Sequence, residues 1–276
     1  MHAKLTLSTQ IRAGKTTLKN SFVSPPLKLL TLPHQTDAML RAVQMSSSPG
    51  LLAGDLVETD IRVSAGSALS LYTQAYTRVL SMRAGDKAEQ RTAIVQETGS
   101  RLCYLPHPLV LHEGSSLFQT TGIDLAGDCE LLYGEIIAAG RVLRGEKFAF
   151  ERLSSHLDIR HNGREIVTDN IQWQPRKYAV ETIGQMEGYT HQLNLFYVHT
   201  AKMPPEIREQ ADNLYHTLDA AFSDGRILWG VTQANDCVLC LRALSGNAQD
   251  LQTLLQSAVT HLQADQITPQ TTAFFR

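Results

Sequence analysis

Gly14-Lys15-Thr16 has the residue types that end a phosphate-binding loop. Such a loop also needs a glycine five positions before Gly14, and a following helix whose amide groups hold the phosphates. Thr9 occupies that glycine position, and the flanking segments LTLSTQI and TLKNSFV are alternating or β-branched, which is typical of strands. We therefore interpret Ala13-Gly14-Lys15 as the turn of a β-hairpin rather than as a nucleotide site.

Cys237 and Cys240 have the C-x-x-C spacing of redox and zinc sites. In a β-strand, residues i and i+3 point to opposite faces, and the sequence CVLCLRAL has the character of a strand. No second C-x-x-C completes a zinc tetrahedron. The histidines are scattered, and pairs five residues apart also fall on opposite strand faces. We therefore interpret the two cysteines as packing thiols and expect no dedicated His/Cys metal site.

Carboxylates are the remaining candidates for chemistry. Glu135 lies inside ELLYGEIIAAGRV, one of the most apolar stretches of the chain. A buried carboxylate is costly unless it is paired or hydrated. Two interpretations therefore stay open, an internal ion pair with an arginine or a water-filled cavity lined by carboxylates, and spacing alone favours the ion pair. Asp55, after PGLLAG, and Asp169, in EIVTDNI, also fit a turn residue and a solvated charge at a strand end.

The elements that must position these residues are mostly strands. From Lys4 to about Trp173, short alternating segments are separated by Gly, Asp, Asn or Ser clusters, and Asn162-Gly163 predicts a type I′ hairpin. After about Pro204, two segments have a helical period and flank a second predicted hairpin at Asn235-Asp236. We expect a mainly β fold, a large multi-stranded body of stacked, antiparallel-rich sheets, with a few helices in the C-terminal third. Residues 1–276 are expected to form a single domain, with a β body at 1–175 and a smaller helix-hairpin-helix portion at 176–276 packed on it.

Composition excludes several classes of protein. The 276 residues carry a formal net charge of −2 with no basic cluster, which argues against a nucleic-acid partner. The first residues lack the apolar core of a secretory signal, and no apolar run is long enough to cross a membrane. Four cysteines are too few for a disulfide framework. A soluble, cytoplasmic protein with reduced thiols is expected.

Four short motifs follow one another in the middle of the chain. They are Gly54-Asp55, Thr73-Gln74-Ala75-Tyr76-Thr77-Arg78, Leu105-Pro106-His107-Pro108 and Gly140-Arg141-Val142-Leu143-Arg144-Gly145-Glu146. In this order they resemble the urease accessory proteins of the UreD family, also called UreH. The resemblance covers about residues 24–175, and more loosely the C-terminal third through GVTQANDCVLCLRAL. The chain departs from the family pattern at Ala53, where a glycine is common, and at Tyr133-Gly134, where the family often carries tryptophan.

The resemblance implies a non-enzymatic scaffold for nickel delivery. Members of this family are mostly β, bind UreF, recruit the GTPase UreG through UreF, and dock on apo-urease. They are similar in having an internal water-filled passage for nickel, so Ni(II) is a transient cargo and no tightly bound cofactor is implied. The family's acidic passage positions fall on Asp55, Glu135 and Asp169. Thr77, Arg141 and Glu146 are passage-associated.

Because of this resemblance, we favour the water-filled cavity over the internal ion pair as the interpretation of Glu135. We then expect low-affinity Ni(II) binding, and poor solubility of the chain without UreF. Two alternatives are kept. One is a β-sandwich hydrolase that uses Glu135 and Asp169 as an acid/base pair. The other is an assembly module without a metal passage.

Overall fold

The computed structural model describes residues 1–33 and 38–263. Within these ranges the two helices are α1 (Pro204–Ala221) and α2 (Ala248–Leu262), and a short 3-10 turn covers Val142–Arg144. The strands, in chain order, are β1 (His2–Arg12), β2 (Lys15–Val23), β3 (Leu27–Leu32), β4 (Leu40–Ser46), β5 (Leu56–Val63), β6 (Ala68–Gln74), β7 (Thr77–Val79), β8 (Ala88–Gln96), β9 (Arg101–Leu105), β10 (Leu109–Leu111), β11 (Ser116–Leu125), β12 (Glu130–Ala138), β13 (Arg152–His161), β14 (Arg164–Trp173), β15 (His191–His199), β16 (Ile227–Asn235) and β17 (Val238–Ser245).

The strands form two sheets. A seven-stranded sheet has the order β14-β13-β11-β8-β5-β1-β2. A ten-stranded sheet has the order β16-β17-β15-β12-β9-β6-β4-β3, with β7 and β10 attached beside β12. The mainly β prediction with helices in the last third is therefore confirmed.

The direction of the strands differs from the antiparallel-rich expectation. The middle of each sheet is parallel, along β1-β5-β8-β11-β13 in one sheet and β4-β6-β9-β12 in the other. Antiparallel pairs lie towards the margins, for example β1-β2 and β13-β14. The physical reason is that most connections between β4 and β13 pass from one sheet to the other, so successive strands of one sheet run the same way there. Segment length and alternation are the same for both arrangements, and the sequence pattern could not separate them.

Two predicted hairpins form where the sequence places them, and the third forms one residue later, with Asp236 and Cys237 in the turn between β16 and β17. Ala13 and Gly14 have φ values of 47° and 73°, and Arg12 pairs with Lys15. Asn162 and Gly163 have φ values of 48° and 78° between β13 and β14. Both pairs have the left-handed backbone that a type I′ turn requires, and this explains why glycine and asparagine occur there. The Gly-Lys-Thr segment therefore belongs to a hairpin.

The core has two parts, one on each face of the ten-stranded sheet. Between the sheets, apolar residues such as Leu5, Ile94 and Phe150 are completely or almost completely buried. On the other face, Leu132 and Ile136 of β12 pack with the helices. Because alternate residues of a strand point to opposite faces, β12 turns its odd-numbered side chains, including residue 135, towards the seven-stranded sheet.

The helices and the last hairpin complete the ten-stranded sheet. Helix α1 buries one stripe on it, formed by Ile207, Ala211, Leu214 and Leu218, at the spacing of a helical face. Helix α2 is capped by Asn247, whose side chain accepts a hydrogen bond from the Asp250 amide at 2.9 Å. The hairpin β16-β17 pairs with β15 and so extends the sheet at one edge. Neither helix combines the length and the apolar character that crossing a bilayer requires.

Candidate functional site

The seven-stranded sheet turns a polar patch towards the other sheet. Thr59, Thr92 and Thr121 are register partners on β5, β8 and β11. Two residues earlier on β8 and β11, Gln90 and Gln119 are partners of each other. These side chains share the inward faces of strands that are otherwise apolar, because strand residues two apart point the same way. The middle of the interface between the sheets is therefore polar.

Two tyrosines of the ten-stranded sheet meet this patch. Tyr104 of β9 and Tyr133 of β12 are register partners, and their ring centroids are 6.1 Å apart. Tyr104 shares a hydrogen bond with Thr92, and Tyr133 with Thr121. Burial raises the pKa of Tyr104 to about 12 and the pKa of Tyr133 well above its usual value. Both phenols are therefore neutral at physiological pH and offer oxygen atoms without charge.

A small cavity lies between the two sheets at this point. Its volume is about 70 Å³, which is room for a few water molecules. The lining is dominated by hydroxyl and amide side chains, and Glu135 is its one carboxylate among the described residues. A second, more open cavity of about 210 Å³ adjoins it. The two cavities share lining residues, which are Gln44, Val57, Thr73, Thr77 and Gln90.

Glu135 is held by one neutral donor from the opposite sheet. The Gln119 side-chain amide donates to its carboxylate at 2.8 Å and to the Ser155 hydroxyl at 3.2 Å. Burial raises the pKa of Glu135 to about 7, the Gln119 hydrogen bond opposes that shift, and the charge of Asp169 adds to it. In residues 1–33 and 38–263 no cationic side chain forms a salt bridge with Glu135. The internal ion pair that was one interpretation of Glu135 is therefore wrong.

Asp169 has a different environment. It lies on the inward side of β14 and accepts hydrogen bonds from Arg242 at 2.8 Å and from the Asn194 side-chain amide at 3.5 Å. Glu135, Asn194 and Arg242 are successive register partners across β12, β15 and β17. Asp169 thus binds Asn194, which is the register partner of Glu135, but a guanidinium group already compensates the charge of Asp169.

Asp55 lies outside the two joined cavities in the part of the chain that the structure describes. Its side chain is only 5% exposed, accepts a hydrogen bond from the Leu52 amide at 2.8 Å and pairs with the ammonium group of Met1 at 2.9 Å. These contacts are those of a turn residue. The passage role that the resemblance implies for Asp55 stays a prediction, and the observed contacts support a structural role instead.

Thr77 lies where the two cavities meet, since it lines both. Arg141 and Glu146 lie further out, on the loop between β12 and β13, and bind each other. Gly140 allows this loop: its φ is 146°, and a Cβ atom there would lie 2.6 Å from the Glu146 carbonyl oxygen. The Gly-Arg-x-x-x-Gly-Glu motif therefore encodes a tight loop closed by its own ion pair.

Three residues of this region were not predicted from the sequence: Gln119, Asn194 and Arg242. A signal existed for Gln119, because it shares a strand face with Leu117, Thr121 and Ile123, where a core strand would be apolar. Asn194 and Arg242 carry the same signal within HQLNLFYVH and VLCLRALS. That signal identifies polar positions facing a core, but it does not identify their partners across the sheets.

The described residues contain no group of three or more His, Cys, Asp or Glu side chains placed to hold a metal ion. All four cysteines fall within the described ranges and form no disulfide. Cys240 is buried in the core between the sheets, and Cys237 packs against the same core. This agrees with their interpretation as packing thiols, but the expectation of opposite strand faces is wrong, because Cys237 lies in the turn before β17 and packs on the same core as Cys240. The oxygen-lined cavity around Glu135 is consequently the strongest candidate site.

Comparison with known proteins agrees with the four motifs. A family model described as "UreD urease accessory protein" matches residues 1–273. The urease accessory protein UreD of Actinobacillus pleuropneumoniae serotype 5b (strain L20) is 48% identical over 260 residues, which cover 93% of this chain and 95% of that relative. The urease accessory protein UreD of Haemophilus influenzae (strain 86-028NP) is 46% identical over 265 residues, which cover 93% of this chain and 97% of that relative. The chain belongs to the UreD family of urease accessory proteins.

Proposed function

We propose that this chain is a non-enzymatic scaffold of urease maturation that lets nickel pass between its two sheets. A role in urease maturation follows from the family. The finer proposal is that Ni(II), as cargo, enters the joined cavities past Thr77 and is met by the carboxylate of Glu135. Asp169 is the next acidic side chain, reached through Asn194.

The observation that carries the proposal is the environment of Glu135. The Glu135 side chain is partly buried among apolar strands, where a carboxylate normally needs a cationic partner. Here its partner is the neutral amide of Gln119, and the carboxylate faces a cavity. An arriving divalent cation would supply the missing charge and displace the proton that burial favours. The fold therefore keeps the Glu135 carboxylate without a cationic partner, so that a passing cation can bind it.

The donor set fits transit better than storage. The cavity offers hydroxyl, amide and carboxylate oxygens. Nitrogen and sulfur ligands would hold Ni(II) more tightly than these hard oxygen donors. His107, which also lines the cavity, has a pKa lowered by burial and could add one neutral nitrogen. A passage must bind a cation well enough to admit it and weakly enough to release it.

Partners are part of the same proposal. We infer that the chain binds UreF, recruits the GTPase UreG through UreF, and docks the assembly on apo-urease in the cytoplasm. This would place nucleotide chemistry on UreG. It agrees with the conformation of Gly14-Lys15-Thr16, which lies in a hairpin and at the start of β2 rather than at the N-terminus of a helix.

The hydrolase alternative fits the geometry less well. An acid/base pair needs two carboxyl groups facing one substrate, and Asp169 is bound to Arg242 instead. The cavity at Glu135, about 70 Å³, is also far smaller than a typical ligand pocket. The assembly module without a passage has no specific observation in its favour, and the following experiment separates it from the passage.

The test is urease activation in cells whose chain carries Glu135→Ala together with Asp169→Ala. We expect activation to fall by about tenfold or more, as is usual when groups around a metal are removed. Co-purification of UreF, UreG and urease with the variant should be unchanged. Full activation with normal assembly would overturn the passage and favour the assembly module.

A matched control is Glu165→Ala together with Asp212→Ala. Both residues are exposed, one on β14 and one on α1, so this variant makes the same change in net charge away from the cavity. It should leave activation at the level of the unmodified chain. Equal losses in the two variants would show that net charge, not position, causes the effect.

A further inference from the structure

A third cavity lies at the far side of the Glu135 region. It has a volume of about 450 Å³ and opens where β14 of one sheet lies over β16 and β17 of the other. Its lining includes Gln192, Arg242, Trp173 and Trp229. Asp169 is adjacent, because its neighbour Asn170 lines the cavity and Arg242 binds it.

Polar residues lie along the path from this cavity to the one at Glu135. Glu135 stands beside Asn194 on the neighbouring strand, and the Asn194 amide donates to Asp169. The Gln192 side chain donates to the Asn194 side-chain oxygen at 3.1 Å. Asp169 then accepts from Arg242. This path thus begins at one cavity, crosses between the sheets, and ends at Arg242 in the other.

We propose that Arg242 is the gate at this end of the nickel route and that it works by occupying Asp169. This inference rests on the proposed passage and adds the residue that controls it. While the guanidinium holds Asp169, a cation at Glu135 is denied a second carboxylate. It also faces a positive charge at the exit.

The geometry makes this ion pair suited to opening. The Asp169 side chain is 14% exposed, whereas the Arg242 side chain is 53% exposed and reaches the open cavity. Exposed ion pairs are weak, so the guanidinium can leave without the full cost of a buried charge. The carboxylate that remains faces the interior and becomes available to the cation. Arg242 is therefore the partner that can move, and Asp169 is the partner that stays in place.

The experiment measures Ni(II) binding to the full-length chain by equilibrium dialysis at neutral pH. Arg242→Gln removes the charge and frees Asp169, so we expect Ni(II) affinity to rise by about tenfold, the scale of one unit charge acting on a nearby divalent ion. Adding Asp169→Asn to Arg242→Gln should abolish that gain. Asp169→Asn alone leaves the Arg242 charge uncompensated beside the site, so affinity should fall, by up to about the same tenfold factor. The matched control is Arg62→Gln, which removes a guanidinium from an exposed pair with Glu97.

An unchanged affinity in Arg242→Gln, a gain that survives Asp169→Asn, or an equal gain in Arg62→Gln would each overturn the gate. If Arg242→Gln does not fold, Arg242→Met removes the same charge, and an unchanged affinity in that variant would overturn the gate. Failure of the passage itself would appear elsewhere, as normal urease activation by the Glu135→Ala/Asp169→Ala variant. The binding assay does not depend on that result.

Discussion

Glu135 of the ten-stranded sheet accepts a hydrogen bond from Gln119 of the seven-stranded sheet, at 2.8 Å. This contact joins the two sheets at the wall of the inner cavity. Because the donor is neutral, it orients the carboxylate without cancelling its charge. Burial raises the pKa of Glu135 to about 7, which means that the charged carboxylate lowers the stability of the folded chain. The contact explains how a carboxylate can be both fixed in position and available to a cation.

The first prediction concerns stability and pH in the Glu135→Gln variant. The pKa of Glu135 is raised from about 4.5 to about 7 by folding. Between those values the folded chain keeps a proton that the unfolded chain has lost, so wild-type stability falls as pH rises and the penalty is complete above 7. At about 1.4 kcal/mol per pKa unit, the variant should be more stable than wild type at pH 8, by up to about 3 kcal/mol.

The measurement is urea unfolding of both proteins at pH 5 and at pH 8. Near pH 5 the advantage of the variant should fall to about 1 kcal/mol, because the unfolded carboxyl group is still partly protonated there. Glu165→Gln, on the exposed side of β14, serves as the control and should show no such difference between the two pH values. A variant that is less stable than wild type at pH 8 would mean that a cationic partner compensates Glu135.

The second prediction concerns the junction of the two cavities. Thr77→Met puts a larger side chain where both cavities meet, so it should narrow the route and lower urease activation. Thr77→Ser keeps the hydroxyl and the space and should activate normally. The measurement is urease activity in cells at equal amounts of each variant. Normal activation by Thr77→Met at low nickel would place the route elsewhere.

The third prediction separates Asp55 from the passage. The side chain of Asp55 binds the Leu52 amide inside a turn, and Asp55→Ala leaves that partly buried donor without this partner. Loss of such a bond costs about 1–3 kcal/mol. We expect the variant to be less stable by this amount in thermal unfolding, and its urease activation to follow the amount of folded protein. A stable Asp55→Ala chain with no activation would instead assign Asp55 to the nickel route.

The fourth prediction concerns the Arg141–Glu146 loop. Gly140→Ala forces a left-handed backbone on alanine and brings Cβ to 2.6 Å from the Glu146 carbonyl oxygen. A residue strained in this way costs of order 1–3 kcal/mol, which urea unfolding can measure. Gly122→Ala, on β11 with open space around the added Cβ, is the matched control. Equal effects of the two substitutions would contradict the steric account of this loop.

Local structure was largely predictable from the sequence, whereas pairing between distant segments was not. Asn162-Gly163 and Ala13-Gly14 specify their own turns, because the required backbone conformation depends on the residues themselves. The parallel order of the sheets depends on which strand lies beside which, and alternation carries no such information.

The same limit applies to the site. Glu135 was recognisable as a carboxylate in an apolar segment, but its partner Gln119 and the Arg242 partner of Asp169 come from other strands. Arg141 lies close to Glu135 in the sequence and binds Glu146 instead. Spacing along the chain could not identify Gln119 or Arg242 as partners, since those two contacts are made by the packing of one sheet on the other.

The most direct test of the central claim is the nickel content of urease purified from cells that carry Glu135→Gln. This variant keeps the shape of the side chain and the hydrogen bond from Gln119, and removes only the charge that a cation would use. We predict that urease and its accessory proteins assemble normally and that urease contains much less nickel than with the unmodified chain. A nickel content equal to that obtained with the unmodified chain, at limiting nickel, would contradict the claim.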